Sequence, residues 1–348
     1  MHKTKPYDKA VDYLRMISIL AVVMIHTTTK TIQMSNNNLN SVPISLFLNQ
    51  ASRFAVPLFF MISGFVLEMN YPYHTGYFGY LKKRLSKILI PYILWSGVYF
   101  FVVFHKTSIM SFLITALPTG GSSYQLYFIP SLLIFYLLFP YLHFKYKFLS
   151  QPSSIILMAV VQVIFLIFDY YFRVFPLIHP FNIVFFNFFV FFLGIFASHH
   201  KDRILVLIRK YRKILFLSAL LLTVVLYFEA RIFYLATQDY RMFYSQWRPS
   251  VMVYTIIVAA LLYYIFTVST KFNLFAKQLS KHSFLVFFIH VMVIEYTWNY
   301  WAANVLSQTQ NYFQQLWFDP LYFTMVVSIS FLFAFVIRKI PKVSLILG

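Results

Sequence analysis

The chain contains no cysteine. That removes disulfides, thiolate nucleophiles and thiolate-held metals, and leaves redox chemistry silent about the compartment. Charge is scarce as well: 11% of the 348 residues are charged, and only nine are acidic. A soluble domain carries roughly a quarter of its residues as charges, so a large soluble core is not expected. None of the eight glycines builds a Walker-type phosphate loop or a Gly-x-Ser-x-Gly nucleophile elbow. No His-Glu-x-x-His zinc helix occurs either, and no metal is expected.

What is abundant is apolar and aromatic. Hydrophobic residues fill 60% of the chain, with 43 Phe and 27 Tyr among them. Apolar runs of about 20 residues, enough to cross the hydrocarbon, number about ten. They cover about 14–31, 44–67, 87–105, 124–142, 153–172, 182–198, 214–234, 250–269, 283–301 and 320–337. The fold expected is all-α: a polytopic integral membrane protein with about ten transmembrane helices in one bundle. The whole chain, 1–348, then forms one membrane domain, with 1–13 and 338–348 as short flanks.

Orientation follows from the 29 Lys and Arg residues. Most fall in alternate connections, led by Lys82, Lys83, Arg84 and Lys87, then by Lys201, Arg203, Arg209, Lys210, Arg212 and Lys213. Positive residues stay inside, so both termini are expected in the cytoplasm, in a multi-pass protein of the plasma membrane. The first apolar run lacks a small-residue cleavage site and is expected to stay as a signal anchor. The net charge of +20 is accounted for by topology and anionic headgroups, without nucleic acid.

Ionisable residues within apolar runs are costly and mark function by default. Arg15 and His26 lie eleven positions apart in the first run. Eleven helical steps are three turns plus roughly 20°, so the two share a face, separated by roughly 16 Å. Asp12, three residues before Arg15, is the local partner expected for it. Arg15 reads equally as an interfacial anchor, and His26 as a histidine satisfied by a neighbouring helix or one at the outer interface. Arg53 falls near the outer end of the second run, where topology does not favour it; it either faces a polar cavity or snorkels to the interface. In the ninth run His290 and Glu295 diverge by roughly 140° and form no local dyad. Ser63-Gly64 suits close helix packing, and Gln162, Asn182 and Asn187 suit hydrogen bonds to other helices.

Five signals then form an ordered set. Arg15 and His26 are followed by Phe59-Phe60-Met61-Ile62-Ser63-Gly64-Phe65, then by Lys82-Lys83-Arg84 leading to Ile90-Pro91-Tyr92. Tyr124-Gln125-Leu126-Tyr127-Phe128 and the late Ser283 to His290 segment complete it. In order and spacing the chain resembles the bacterial membrane acyltransferase-3 family over nearly its whole length. The Arg53 to Pro57 stretch looks most like members that modify surface polysaccharides.

The resemblance implies transfer of an acyl group, acetyl or succinyl, from cytoplasmic acyl-CoA to a sugar hydroxyl. The acceptor is a surface glycan or a lipid-linked sugar. His26 is the candidate general base, since an imidazole titrates near neutral pH and can take the hydroxyl proton as attack proceeds. It serves equally well as a transient acyl carrier. Arg15 and Arg53 complete the catalytic set expected. Arg84, Lys87 and Lys83 are the residues expected to hold the phosphates of CoA, although plain topology explains them too; Lys87 stands where many members carry a second arginine and lacks its planar fork. Tyr127 and His290 are expected on the substrate side. A glycan synthase or a second copy of the chain would be the protein partner. The competing reading is a polysaccharide or solute exporter using the same polar path.

Overall fold

The computed structural model describes residues 8–35, 38–71, 77–172, 174, 179–268, 273–305, 312–340 and 347. Among the described residues there is helix and turn but no strand. The main helices are α1 (Lys9–Met34), α2 (Pro43–Ala51), α3 (Ala55–Met69), α4 (Tyr77–Gly97) and α5 (Phe128–Phe144). They continue as α6 (Pro152–Tyr170), α7 (Pro180–Thr237), α8 (Pro249–Val268), α9 (Asn273–Val305) and α10 (Tyr312–Lys339). Proline opens α2, α6, α7 and α8. Its missing N–H is no loss there, because the first turn of a helix has no internal acceptor for it, and its fixed φ is already helical.

Among the described residues eight helical segments are long and apolar enough to cross a membrane, and Ile109–Thr119 and Phe128–Phe144 are shorter apolar helices. The all-α polytopic architecture read from the sequence is therefore present. The sixth and seventh apolar runs share α7, whose 58 residues are broken by non-helical backbone at His200 (φ −119°, ψ 18°). At 1.5 Å per residue such a helix would measure roughly 87 Å if straight, far more than one crossing of about 30 Å needs. The basic stretch after His200, read as a connection that could form a short surface helix, is helical. The fourth run is the 17-residue α5.

The chain divides into two compact units. The first is built mainly on Pro57–Leu207, the second on Asp12–Val56 and Ile208–Lys339.

Aromatic rings fill the first unit. Phe135 stacks on Phe191 with centroids 4.3 Å apart, and Phe60 lies 4.8 Å from Phe128 and 5.2 Å from Phe135. Gly64 on α3 and Gly194 on α7 let the two backbones meet. A Cβ on Gly64 would collide with the carbonyl oxygen of Phe191, and one on Gly194 with that of Met61. Small residues are how helices approach closely where lipid supplies no hydrophobic drive. The packing role read for Ser63-Gly64 fits this contact. Gly194→Ala is expected to destabilise the first unit by about 1–3 kcal/mol or more, because backbone cannot rotate away as a side chain can. Thermal unfolding in detergent would register it as a lowered midpoint. Gln162 accepts the Phe189 N–H at 2.6 Å, linking α6 to α7, whereas Asn187 donates to Ile183 in its own helix.

In the second unit an apolar cluster of Ile32, Leu39, Val42, Leu46, Ala230 and Phe243 is flanked by Tyr227, Tyr234 and Tyr244. Helices α1 and α9 run parallel. Ser280 donates to Asp12 at 3.1 Å, the rings of His26 and His290 are neighbours, and Lys30 pairs with Glu295 at 2.8 Å, in rising order on both helices.

Candidate active site

Helix α1 carries a series of polar groups along its length. Near its start Arg15 Nη1 lies 3.6 Å from Asp12 Oδ1, the local pairing expected from their spacing. His26 sits in mid-helix, its ring centroid 5.4 Å from that of His290 and tilted by 33°. One turn further on, Lys30 reaches Glu295 of α9, and Thr31 and Ser45 both donate to the buried carboxylate of Asp319, at 2.7 and 2.5 Å. The threonines after His26 are not simply solvated. Thr27 and Thr28 bond back to the carbonyls of Val23 and Met24, at 3.0 and 2.6 Å. Such bonding satisfies a hydroxyl inside an apolar helix.

Two adjacent amides on α2 tie this helix to two buried arginines. Asn49 Nδ2 donates to the Ile25 carbonyl at 3.0 Å and approaches the hydroxyls of Thr28 and Thr29 at 3.0 and 3.1 Å. Its Oδ1 accepts from Arg53 Nη2. Arg53 Nη1 donates to the Tyr244 carbonyl at 2.5 Å. Gln50 donates to the Phe243 carbonyl at 2.9 Å and accepts from Arg248 Nη2. The Arg248 guanidinium is fully buried, 3.6 Å from Glu229, which also accepts from Ser250 at 2.5 Å. Arg53, 2% exposed, lies in the turn between α2 and α3 and is buried rather than snorkelling outward.

The structure thus gathers His26, His290 and Arg53 in one unit, with the Asn49 amide joining Arg53 to the carbonyl beside His26. Arg15 shares their unit but stands eleven residues from His26 along α1, at the Asp12 end. Lys87 is an exposed residue of α4, and the side chains of its neighbours Lys83 and Arg84 lie outside the described set. Tyr127 belongs to the first unit, where it precedes α5 and accepts from the Ser131 hydroxyl at 2.9 Å. Among the described residues no group of three or more His, Asp or Glu is arranged to hold a metal ion.

The sequence profile of the acyltransferase domain matches residues 8–339. The chain belongs to the acyltransferase-3 family. Membrane-embedded acyl transfer is the activity of this family, and the match runs through both compact units. Curated relatives of this acyltransferase-3 protein include three from Staphylococcus aureus. A protein of strain MRSA252 is 25% identical over 305 residues, one of strain Mu50 is 26% identical over 307, and one of strain MSSA476 is 26% identical over 310. Each match covers 81% of this chain and 81% of the relative, and each relative carries the name probable poly-beta-1,6-N-acetyl-D-glucosamine export protein. No solved structure matches the chain.

Two features of this acyltransferase-3 protein escape the sequence reading. The amide pair Asn49-Gln50 and the buried Arg248 come together from segments about 200 residues apart, and their only local signal is a polar dipeptide in an apolar run. In the first unit Glu68 Oε1 lies 2.8 Å from both His143 Nδ1 and His199 Nε2. Tyr71 stands over His143 with centroids 4.5 Å apart, and Tyr146 stacks on His199 at 4.1 Å while its hydroxyl meets His200 at 3.1 Å. Burial, then the nearby Glu68 charge, pushes the Tyr146 phenol up to about 12, so it stays neutral. Glu68 at the end of an apolar run, with histidines ending two others, was the available signal.

Proposed function

We propose that this chain O-acylates a cell-surface polysaccharide or its lipid-linked precursor, taking the acyl group from cytoplasmic acyl-CoA, with acetyl-CoA the first donor to test. The observation that carries the reading is His26, mid-helix in a chain of this family, with His290 beside it and the buried Arg53 tied into the same helix through Asn49. A sugar hydroxyl is a poor nucleophile at neutral pH. His26 takes its proton as the oxygen attacks the thioester carbonyl. The carbon–sulfur bond then breaks, its electron pair goes to sulfur, and the proton passes on to the departing thiolate. In the covalent variant His26 carries the acyl group between the two.

Arg53 supplies a fixed cation for charge developing on the carbonyl oxygen. Arg15 acts from the Asp12 end of α1 on the donor. Arg84, Lys87 and Lys83 hold the CoA phosphates, Tyr127 lines the acceptor path, and the amino terminus is cytoplasmic in the plasma membrane. Both units act as one acyltransferase domain over 1–348. The names of the relatives favour a second reading, export of an amino-sugar polysaccharide through the same polar residues.

Reconstitution separates the two. The purified protein in liposomes is given acetyl-CoA labelled in the acetyl group and an N-acetylglucosamine oligosaccharide. Label appearing on the sugar as an ester supports transfer. Unlabelled sugar that nevertheless crosses the vesicle wall supports export and overturns the enzymatic reading.

A further inference from the structure

His290 is fully buried, and its Nδ1 lies 3.0 Å from the Val286 carbonyl. A carbonyl oxygen can only accept, so Nδ1 must carry the hydrogen. In the neutral ring that choice leaves Nε2 as a lone-pair acceptor. The Nε2 atom is itself buried and meets no hydrogen-bond partner among the described residues. Buried polar atoms without partners are rare and point to a role. The neighbouring ring is His26, 5.4 Å away between centroids. Each ring nitrogen lies about 1.1 Å from its centroid, so two imidazoles at that separation come within hydrogen-bond reach after a small rotation. Apo sites commonly hold such bonds long until substrate arrives.

We propose that His290 is a positioning residue for His26, accepting at Nε2 the N–H of the His26 imidazolium that forms when the base takes its proton. The inference rests on His26 acting as the base. It assigns to His290 the part that a carboxylate plays in a Ser-His-Asp triad, fixing tautomer and orientation and stabilising the imidazolium without being protonated itself. A neutral partner suits a buried site, where a second unpaired charge would be costly. It also moves His290 from the substrate-binding role expected for it to a place behind the base. The charged groups facing His26 are Arg53 from the turn after α2 and Lys30 from α1, the latter paired with Glu295 of α9.

The test compares His290→Gln, whose carboxamide oxygen can replace the Nε2 acceptor, with His290→Leu, which fills space without accepting. Histidine 15N spectra of the full chain in bilayers read the tautomer of His290 and the titration of His26 without any need for turnover. Expected are an Nδ1–H tautomer for His290, a His26 midpoint that falls by about one pH unit in His290→Leu, and recovery in His290→Gln. In the transfer assay the acid limb of the pH–rate profile should move the same way, with neutral-pH kcat reduced roughly tenfold in the leucine variant. An unchanged His26 midpoint in a folded His290→Leu protein overturns the proposal. Wild-type protein that shows the titration coupling but transfers no acyl group instead defeats the enzymatic reading and leaves the coupling standing.

Discussion

His26→Ala is expected to lower acyl transfer by about 10²- to 10⁴-fold, the usual range for removing a positioned general base, with little change in donor KM and none in expression or detergent stability. The side chain is only partly buried and sits beside a second imidazole rather than inside a dense apolar cluster, so truncation leaves no large dry cavity. A base must be neutral to act. Turnover by the wild type should therefore fall about tenfold per pH unit below the His26 midpoint, and this limb should vanish from the residual activity of the alanine variant. Acid quenching followed by peptide mass spectrometry separates base from carrier. An acyl adduct on the peptide holding His26, formed with donor alone and lost on adding sugar, demonstrates the covalent route. Transfer within twofold of wild type by His26→Ala would end the role assigned to this residue.

How far the sequence could be read follows from the kind of physics involved. Transmembrane helices declare themselves locally, because the bilayer requires long apolar runs and each run is contiguous. Nearly every span expected has its helix. The departure at α5 is instructive: Tyr124 to Tyr127 lie in turn rather than helix, and the left-handed Gly120 (φ +76°) brings backbone so close to Tyr127 that a Cβ would not fit. The face shared by Arg15 and His26, and the Asp12 pairing, are also local and follow from helical phase.

The partners of these residues were not legible. Helix α1 meets α9 through His290 and Glu295, more than 260 residues further along the chain, and Asp319 receives its donors from α1 and α2. Spacing within one run carries no information about which other run will face it. The meeting of Glu68 with His143 and His199, and of Asn49-Gln50 with the two arginines, was not legible for the same reason. Each residue alone reads as an ordinary polar group at a helix end or in a helix.

The largest stability effect is expected at Glu229. Arg248 stands just before Pro249 at the start of α8, and its guanidinium is wholly buried. Glu229 of α7 lies 3.6 Å away, and Gln50 of α2 accepts from the other end nitrogen. Glu229→Ala would leave that charge without its carboxylate and deprive Ser250 of its acceptor. Breaking a buried pair from one side costs about 3–5 kcal/mol, because the surviving charge is uncompensated. The paired replacement Glu229→Leu with Arg248→Met removes both charges together and should recover most of the loss, since an apolar pair of similar volume is often neutral or stabilising. Denaturation in detergent, followed by intrinsic tryptophan fluorescence, gives the comparison directly. Activity adds a second readout. Arg248 holds Gln50, Gln50 adjoins Asn49, and Asn49 holds both Arg53 and the carbonyl of Ile25 beside His26. A double variant that regains stability but not transfer would show that the buried arginine serves the site through this amide bridge. Recovery of both would reduce Arg248 to an architectural charge.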